Sequence, residues 1–241
     1  MPPWLFWLIL ALVLWLGVAM AAGRLLGGPR GDDVLGNLAY YVIRGYVRLR
    51  HPPRLEGREN IPEFIPGGGL EGVGPLIVVA NHASGVDPLL VQSVLPFEPR
   101  WMMAADMRHP AGEWLWRFGR IIFVDRANSD PAGVREALRH LSIGGVLGLF
   151  PEGGIERKPQ TLRPFQAGVG LLIRRSGARV LPIVIEDAAM APTAWGALSR
   201  TSRPRIRVMP PIEYGREQGP GEVAADLQAR YEAWTGWGVE A

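Results

Sequence analysis

The stretch PLIVVANHASGVDPLLVQSVL, Pro75 to Leu95, decides the fold class. Leu76 to Ala80 is a short apolar run rich in β-branched residues, behind a Gly- and Pro-rich segment, and it predicts a buried strand. Asp87-Pro88 followed by LLVQSVL predicts a helix, with Asp87 as N-cap and Pro88 in the first turn. Between strand and helix lie Asn81, His82, Ala83, Ser84, Gly85 and Val86. An imidazole therefore leaves the end of a strand, and a carboxylate stands five residues on. A loop of this length can fold the two together. The carboxylate would then hold one ring nitrogen protonated and leave the other to accept a proton. A capping aspartate behind an unrelated histidine is the plain alternative, and the pair alone does not choose between them.

Outward from this stretch, strands and helices alternate. Arg100 to Ala105 and Arg120 to Val124 read as strands, with a short helical region rich in tryptophan between them. The next helix has Asp130 as its cap, Pro131 in its first turn and Gly144 past its end. Val134, Ala137, Leu138 and Leu141 form its apolar stripe. Gly145 to Phe150 is a buried strand running into PEGGIERK, and Phe165 to Arg175 is helical. Ala178 to Ile185 is a strand in which Pro182 predicts an edge position or a bulge. Pro204 to Met209 and Glu222 to Trp234 read as a last strand and a last helix, and Pro52 to Asn60 as a short edge strand. The expectation is a single α/β domain with a mostly parallel or mixed central sheet flanked by helices. In such sheets sites form at the carboxyl ends of strands. Three loops carry polar residues there: His82 to Asp87, Asp125-Arg126 and Pro151 to Gly154.

The first fifty residues differ from the rest. Trp4 to Ala22 is free of charge over about twenty residues, enough to span a hydrocarbon core of about 30 Å. Residues 1–33 thus read as a membrane anchor and linker, and 34–241 as the main domain. Arg24 and Arg30 follow the apolar run and no basic residue precedes it, so the positive-inside bias puts the domain on the cytoplasmic side. A cleaved secretory signal ending at Ala19-Met20-Ala21 is the rival, but it lacks a basic leader. A helix embedded without crossing is a third reading. Val34 to Arg50 mixes aromatic and aliphatic residues with Arg44, Arg48 and Arg50, the pattern of an interfacial helix on anionic lipid, with an ordinary helix packed on the domain as the plain alternative.

Hydrophobic residues make up 48% of the 241, which excludes a disordered polar chain. There are no cysteines, so disulfides and thiolate metal sites are excluded. A formal net charge of +3 suits an anionic surface but is too scattered for nucleic acid, and no nucleic-acid motif is present. His51, His82, His109 and His140 show no metal-ligand spacing.

Four segments together resemble a known family. NHASGVD (Asn81 to Asp87), GRIIFVDR (Gly119 to Arg126), FPEGG (Phe150 to Gly154) and VLPIVI (Val180 to Ile185) are similar, in order, to the four blocks of glycerophospholipid acyltransferases of the lysophosphatidate acyltransferase type. RLEGRENIP (Arg54 to Pro62) and FQAGVG (Phe165 to Gly170) also resemble family segments. The resemblance covers about residues 35 to 210. It implies acyl transfer from acyl-CoA or acyl-carrier protein to a lysophospholipid hydroxyl, with 1-acyl-glycerol-3-phosphate foremost and no cofactor. It implies His82 as general base, Asp87 as its orienting partner, and no covalent intermediate. Asn81, Arg126, Glu152, Gly153 and Gly154 would contact substrate. One departure stands out. The family commonly follows FPEG with Thr-Arg, and here Gly154 and Ile155 occupy those positions. Arg157 and Lys158 are the candidate replacements, and another lysolipid or a glycolipid is the alternative acceptor. Two further readings remain: a catalytically inactive lipid-binding relative, and an esterase using Ser84, around which no nucleophile-elbow pattern is found.

Overall fold

The computed structural model describes residues 2–31, 33–63, 75–108, 110–125, 131–215 and 217–240. Helix α1 (Pro3–Leu26) starts behind two prolines that pre-set its first turn and stops at Gly27. Its 21-residue segment Pro3–Gly23 has a mean hydropathy of 2.5, and none of the residues in its apolar window is buried in the protein. At about 1.5 Å per residue it is long enough, and apolar enough, to cross a bilayer.

Helix α2 (Val34–Arg50) is capped by the Asp33 carboxylate, which accepts from the Gly36 amide at 2.9 Å. Tyr40 and Val47 are buried, and the Tyr40 hydroxyl donates to the Leu95 carbonyl at 2.7 Å. Leu35, Leu38, Val42 and Leu49 stay exposed. The helix expected to lie on lipid therefore packs one stripe on the domain and leaves another outside.

The remaining elements follow in order: β1 (Arg54–Glu56), β2 (Leu76–Ala80), α3 (Asp87–Val94), β3 (Arg100–Ala104), α4 (Glu113–Phe118), β4 (Ile122–Val124), α5 (Pro131–Ser142) and β5 (Val146–Leu149). Then come β6 (Thr161–Leu162), α6 (Ala167–Ser176), β7 (Arg179–Glu186), β8 (Arg205–Val208), α7 (Pro220–Thr235) and β9 (Gly238–Val239). Seven strands form one sheet in the order β1-β8-β7-β2-β5-β3-β4. All neighbours are parallel except β7 and β8. β6 and β9 form a separate parallel pair.

β2 lies at the centre and every one of its residues is buried. Its alternation feeds two cores. Leu76, Val78 and Ala80 pack with residues of α2 and α3, while Ile77 and Val79 pack with residues of α5, α6 and α7. The result is helix, sheet, helix: the expected α/β class.

Two local readings are corrected. Of the edge and the bulge that Pro182 allowed, the edge is excluded because β7 is internal, while the antiparallel pairing does slip by one residue beside Pro182, from Val180 opposite Ile212 to Ile183 opposite Val208. The antiparallel ladder of β7 to β8 runs from Ile183 to Glu186, so Pro182 sits just outside it and still accepts a bond from Met209 through its carbonyl at 2.9 Å. And Asp87 is the first residue of α3 rather than its cap; the carboxylate turns back onto the loop before it. The expected Asp130 cap lies outside the described residues.

Candidate active site

Because β2, β5 and β7 are parallel neighbours, their carboxyl ends open at one place. Asn81 extends β2 by one residue. Its side-chain amide donates to the Ile185 carbonyl at 2.9 Å and its oxygen accepts from the Ile185 amide at 2.7 Å, so it pairs with β7 as a peptide would. Both polar ends are thus engaged by backbone. Asn81 thereby aims the next residue.

That next residue is His82. Its Nδ1 lies 2.9 Å from Asp87 Oδ2. The same oxygen accepts from the amides of Ala83 at 2.8 Å and Ser84 at 2.7 Å. Asp87 is fully buried and the His82 side chain is 15% exposed, so the pair is shielded while one ring edge reaches solvent. An ionised carboxylate is acceptor-only, so Nδ1 carries the proton and Nε2 is left as the acceptor. Gly85 makes the tight loop possible: a Cβ there would fall 2.1 Å from the Ala194 carbonyl oxygen.

The imidazole stacks on Phe150, with centroids 3.9 Å apart and planes at 15°, and Phe150 stacks in turn on Trp101 at 5.1 Å. Gly148 leaves room for the indole, since a Cβ there would lie 2.8 Å from it. Two aromatic planes therefore fix the ring's tilt while Asp87 fixes its rotation.

Glu152 is 3% exposed. Oε1 accepts from the His82 amide at 2.7 Å and Oε2 from the Arg163 amide at 3.1 Å. Both oxygens are occupied by backbone, so Glu152 ties the β5 exit loop to the His82 loop. Burial pushes its carboxyl up to about 8 against the pull of those two amides, and the negative charges of Asp87 and Glu156 push the same way. The Glu156 amide also donates to the His82 carbonyl at 2.7 Å. Gly153 takes a positive φ of 68° that closes the turn. Gly154 has ordinary space around it: a Cβ there would come no nearer than 3.7 Å to the Arg163 guanidinium.

Among the basic candidates, Arg157 donates from one nitrogen, Nη1, to the carbonyls of Ala191 at 2.8 Å and Pro192 at 2.5 Å. Lys158 pairs with Glu240 at 3.0 Å. Arg126 lies outside the described residues. Arg163, which sequence reasoning missed, brings its guanidinium beside Gly154. Its nine-residue distance from Gly154 in the chain hid it. Tyr231 on α7 was missed as well. Its hydroxyl, fully buried, enters between β2 and β7, donating to the Val79 carbonyl at 2.9 Å and accepting from the Ile183 amide at 3.1 Å. In sequence it is one more apolar-face residue. No group of three or more His, Cys, Asp or Glu side chains among the described residues has the arrangement of a metal site.

Fold and site together define an α/β enzyme with a His–Asp pair at the carboxyl edge of its sheet. The family model described as Acyltransferase matches residues 53–186, more than half of the sequence, and the chain belongs to that acyltransferase family. An N-acylphosphatidylethanolamine synthase of Arabidopsis thaliana is 32% identical over 123 residues, covering 46% of this chain and 43% of that protein. Taffazin of Dictyostelium discoideum is 30% identical over 156 residues, covering 58% of this chain and 54% of that protein. The chain thus spans about half the length of these curated relatives. In fold it is similar to the crystal structure of the 1-acyl-sn-glycerophosphate acyltransferase PlsC from Thermotoga maritima, with a TM-score of 0.63 over 96% of this chain and 92% of that one, at 18% identity.

Proposed function

We propose that this enzyme moves a fatty acyl group from an acyl thioester, carried by coenzyme A or acyl-carrier protein, to the free hydroxyl of a lysophospholipid in the membrane. 1-Acyl-glycerol-3-phosphate is the foremost acceptor. The observation that carries the reading is the His82–Asp87 contact at 2.9 Å, with Nε2 turned away from the carboxylate. In the reaction, Nε2 takes the hydroxyl proton as the acceptor oxygen bonds to the thioester carbonyl carbon. The tetrahedral intermediate then expels the thiolate as the carbon–sulfur bond breaks, and the imidazolium returns the proton to sulfur. General-base help of this kind contributes about 10²–10⁴-fold. Asp87 stabilises the imidazolium that forms between the two steps.

The transfer is direct in this scheme. Ser84 is 2% exposed, and its hydroxyl donates to the Ala189 carbonyl while accepting from the Val86 amide at 3.4 Å, which disfavours the esterase reading. The retained His–Asp geometry disfavours an inactive lipid binder. Arg126, by its place in the second block, and Arg163, by its place beside Gly154, would hold the acceptor's anionic head group. Ile155 in place of the family's arginine, and the similarity to an N-acylphosphatidylethanolamine synthase, favour a second reading in which the head group is not a bare phosphate. The apolar helix α1 supports attachment to the membrane, with the domain on the cytoplasmic side by the positive-inside bias.

Incubating the purified chain with labelled acyl donor and a panel of lysolipids tests this. Formation of a diacyl product from at least one lysolipid is expected, with 1-acyl-glycerol-3-phosphate giving the highest kcat/KM. Release of free fatty acid with no acylated lipid would overturn it in favour of hydrolysis.

A further inference from the structure

We propose that an arginine-lined groove along α4 and the β4 edge binds the phosphate head groups of anionic phospholipids at the foot of α1. The groove has a volume of about 610 Å³. Arg100, Arg108, Arg117 and Arg120 line it, with Glu113 as the acidic residue of the lining. Arg100 opens β3 and Arg120 precedes β4, so both stand at the amino ends of strands whose carboxyl ends face the catalytic side. The groove shares no lining residue with the His82 loop or with FPEGG.

The four guanidiniums are unequally engaged. Arg108 is held in a fork by Glu113, at 2.9 and 2.6 Å, and Arg100 is paired with Glu136 at 2.6 Å. Arg117 meets Glu113 only at 3.8 Å and is 83% exposed, and Arg120 meets Asp33 at 3.3 Å and is 52% exposed. Three carboxylates, Glu113, Glu136 and Asp33, face these four cations, so the groove keeps an excess of one positive charge, carried by the weakly engaged Arg117 and Arg120. Guanidinium matches phosphate because its planar fork places two donors on two oxygens.

Two observations make the anion a lipid. First, the groove is tied to the anchor. Arg30, in the linker between α1 and α2, donates to the Phe118 carbonyl at 2.9 Å, pairs with Glu98 and lies over the Phe118 ring. Asp33 in the same linker takes Arg120. Arg30 and Asp33 stand four and seven residues past the end of α1, so the linker holds the groove close to the anchor's exit. Second, exposed apolar side chains accompany the arginines. Ile143 in the lining is 77% exposed, and Trp114, next to the lining residue Glu113 on α4, is 71% exposed. Cations set among exposed tryptophan and aliphatic side chains suit a head-group layer, where rings sit in the interface and basic groups meet phosphate. The proposal rests on α1 entering the membrane and not on the acyl-transfer reading.

The chain has no cysteine, so a single cysteine carries a probe without ambiguity. Ile143→Cys, labelled with a polarity-sensitive fluorophore, is reconstituted as the full chain in nanodiscs of phosphatidylcholine alone or of phosphatidylcholine with phosphatidylglycerol. Blue-shifted emission, quenched by nitroxide lipids, is expected only in the anionic discs and is expected to fade as salt rises. Arg117→Gln with Arg120→Gln should weaken the response about fivefold per charge removed, and the Arg117→Lys with Arg120→Lys pair should keep most of it. Equal emission in both discs, or an anionic response that survives the glutamine pair, would overturn the groove with the anchor intact. A shift produced by coenzyme A in neutral discs would assign the groove to the donor and overturn it too. A chain that stays out of neutral discs altogether would overturn the anchor and the proposal together.

Discussion

Replacing Asp87 with asparagine keeps the side chain's shape and removes its charge. In the resting enzyme the carboxylate faces a neutral ring, but once Nε2 has taken the substrate proton it faces an imidazolium. Asp87 is fully buried and His82 only 15% exposed, so solvent screens the pair weakly. With the charge centres about 4 Å apart and an effective dielectric near 20, the attraction is worth roughly 4 kcal/mol. At 1.36 kcal/mol per factor of ten, its complete loss would slow the proton-transfer step about 10³-fold. The asparagine carbonyl still accepts from Nδ1–H and recovers part of this, so kcat should fall about 10²–10³-fold. KM for donor and acceptor should barely move, because a fully buried side chain touches neither. The amide NH₂ would take the place of Oδ1, a buried atom that has no hydrogen-bond partner among the described residues. That leaves a buried donor unpaired and costs about 1–3 kcal/mol of stability. Steady-state thiol release, run beside thermal melting, separates the effects. A folded Asp87→Asn enzyme with kcat within tenfold of the parent would refute the reasoning, as would a defect confined to KM.

Three other perturbations reach the same site from different sides. Gly85→Ala drives a Cβ into the Ala194 carbonyl at 2.1 Å, so about 1–3 kcal/mol of stability and most of the activity should be lost; unchanged melting and turnover would contradict the close approach. Phe150→Leu removes the ring stacked on His82, an arrangement worth about 0.5–1.5 kcal/mol, and should lower kcat up to about tenfold in a folded protein; an unchanged kcat would show that the stack does not steady the imidazole. Glu152→Gln tests the buried carboxyl by its pH dependence. Its folded pKa of about 8 stands above the ordinary 4.5, so the folded state holds a proton that the unfolded chain releases. The stability this confers is fully present below about pH 4.5 and is lost as the pH rises through about 8. The melting temperature of the parent should therefore decline relative to that of the glutamine variant across this window, and parallel curves would contradict the assignment.

Local patterns carried most of the fold. The apolar run Leu76–Ala80 and the stripe Val134, Ala137, Leu138 and Leu141 each encode their element within a few residues, and each is found where its pattern puts it. Strand order was not legible. Pro182 implied an edge or a bulge because a strand's own sequence does not say which side of it a ladder ends on, and only the pairing of β7 with β8 from Ile183 onward decides against the edge. The His82–Asp87 contact was legible because both partners sit on one loop. Glu152 was not, since its partners are backbone amides at positions 82 and 163, chosen by the tertiary fold. Arg163 and Arg157 illustrate the same limit. Arg157 is nearer to FPEGG in sequence, yet it turns to carbonyls at 191 and 192, while Arg163 returns to Gly154 after the β6 strand.

The central claim is that the His82 imidazole takes the proton from a lipid hydroxyl during a direct transfer. It is tested most directly by His82→Ala, assayed for acyl transfer to the preferred lysolipid after confirming native melting and membrane association. The account predicts a loss of at least about 10²-fold in kcat. Turnover near the parental rate in that folded variant would contradict it.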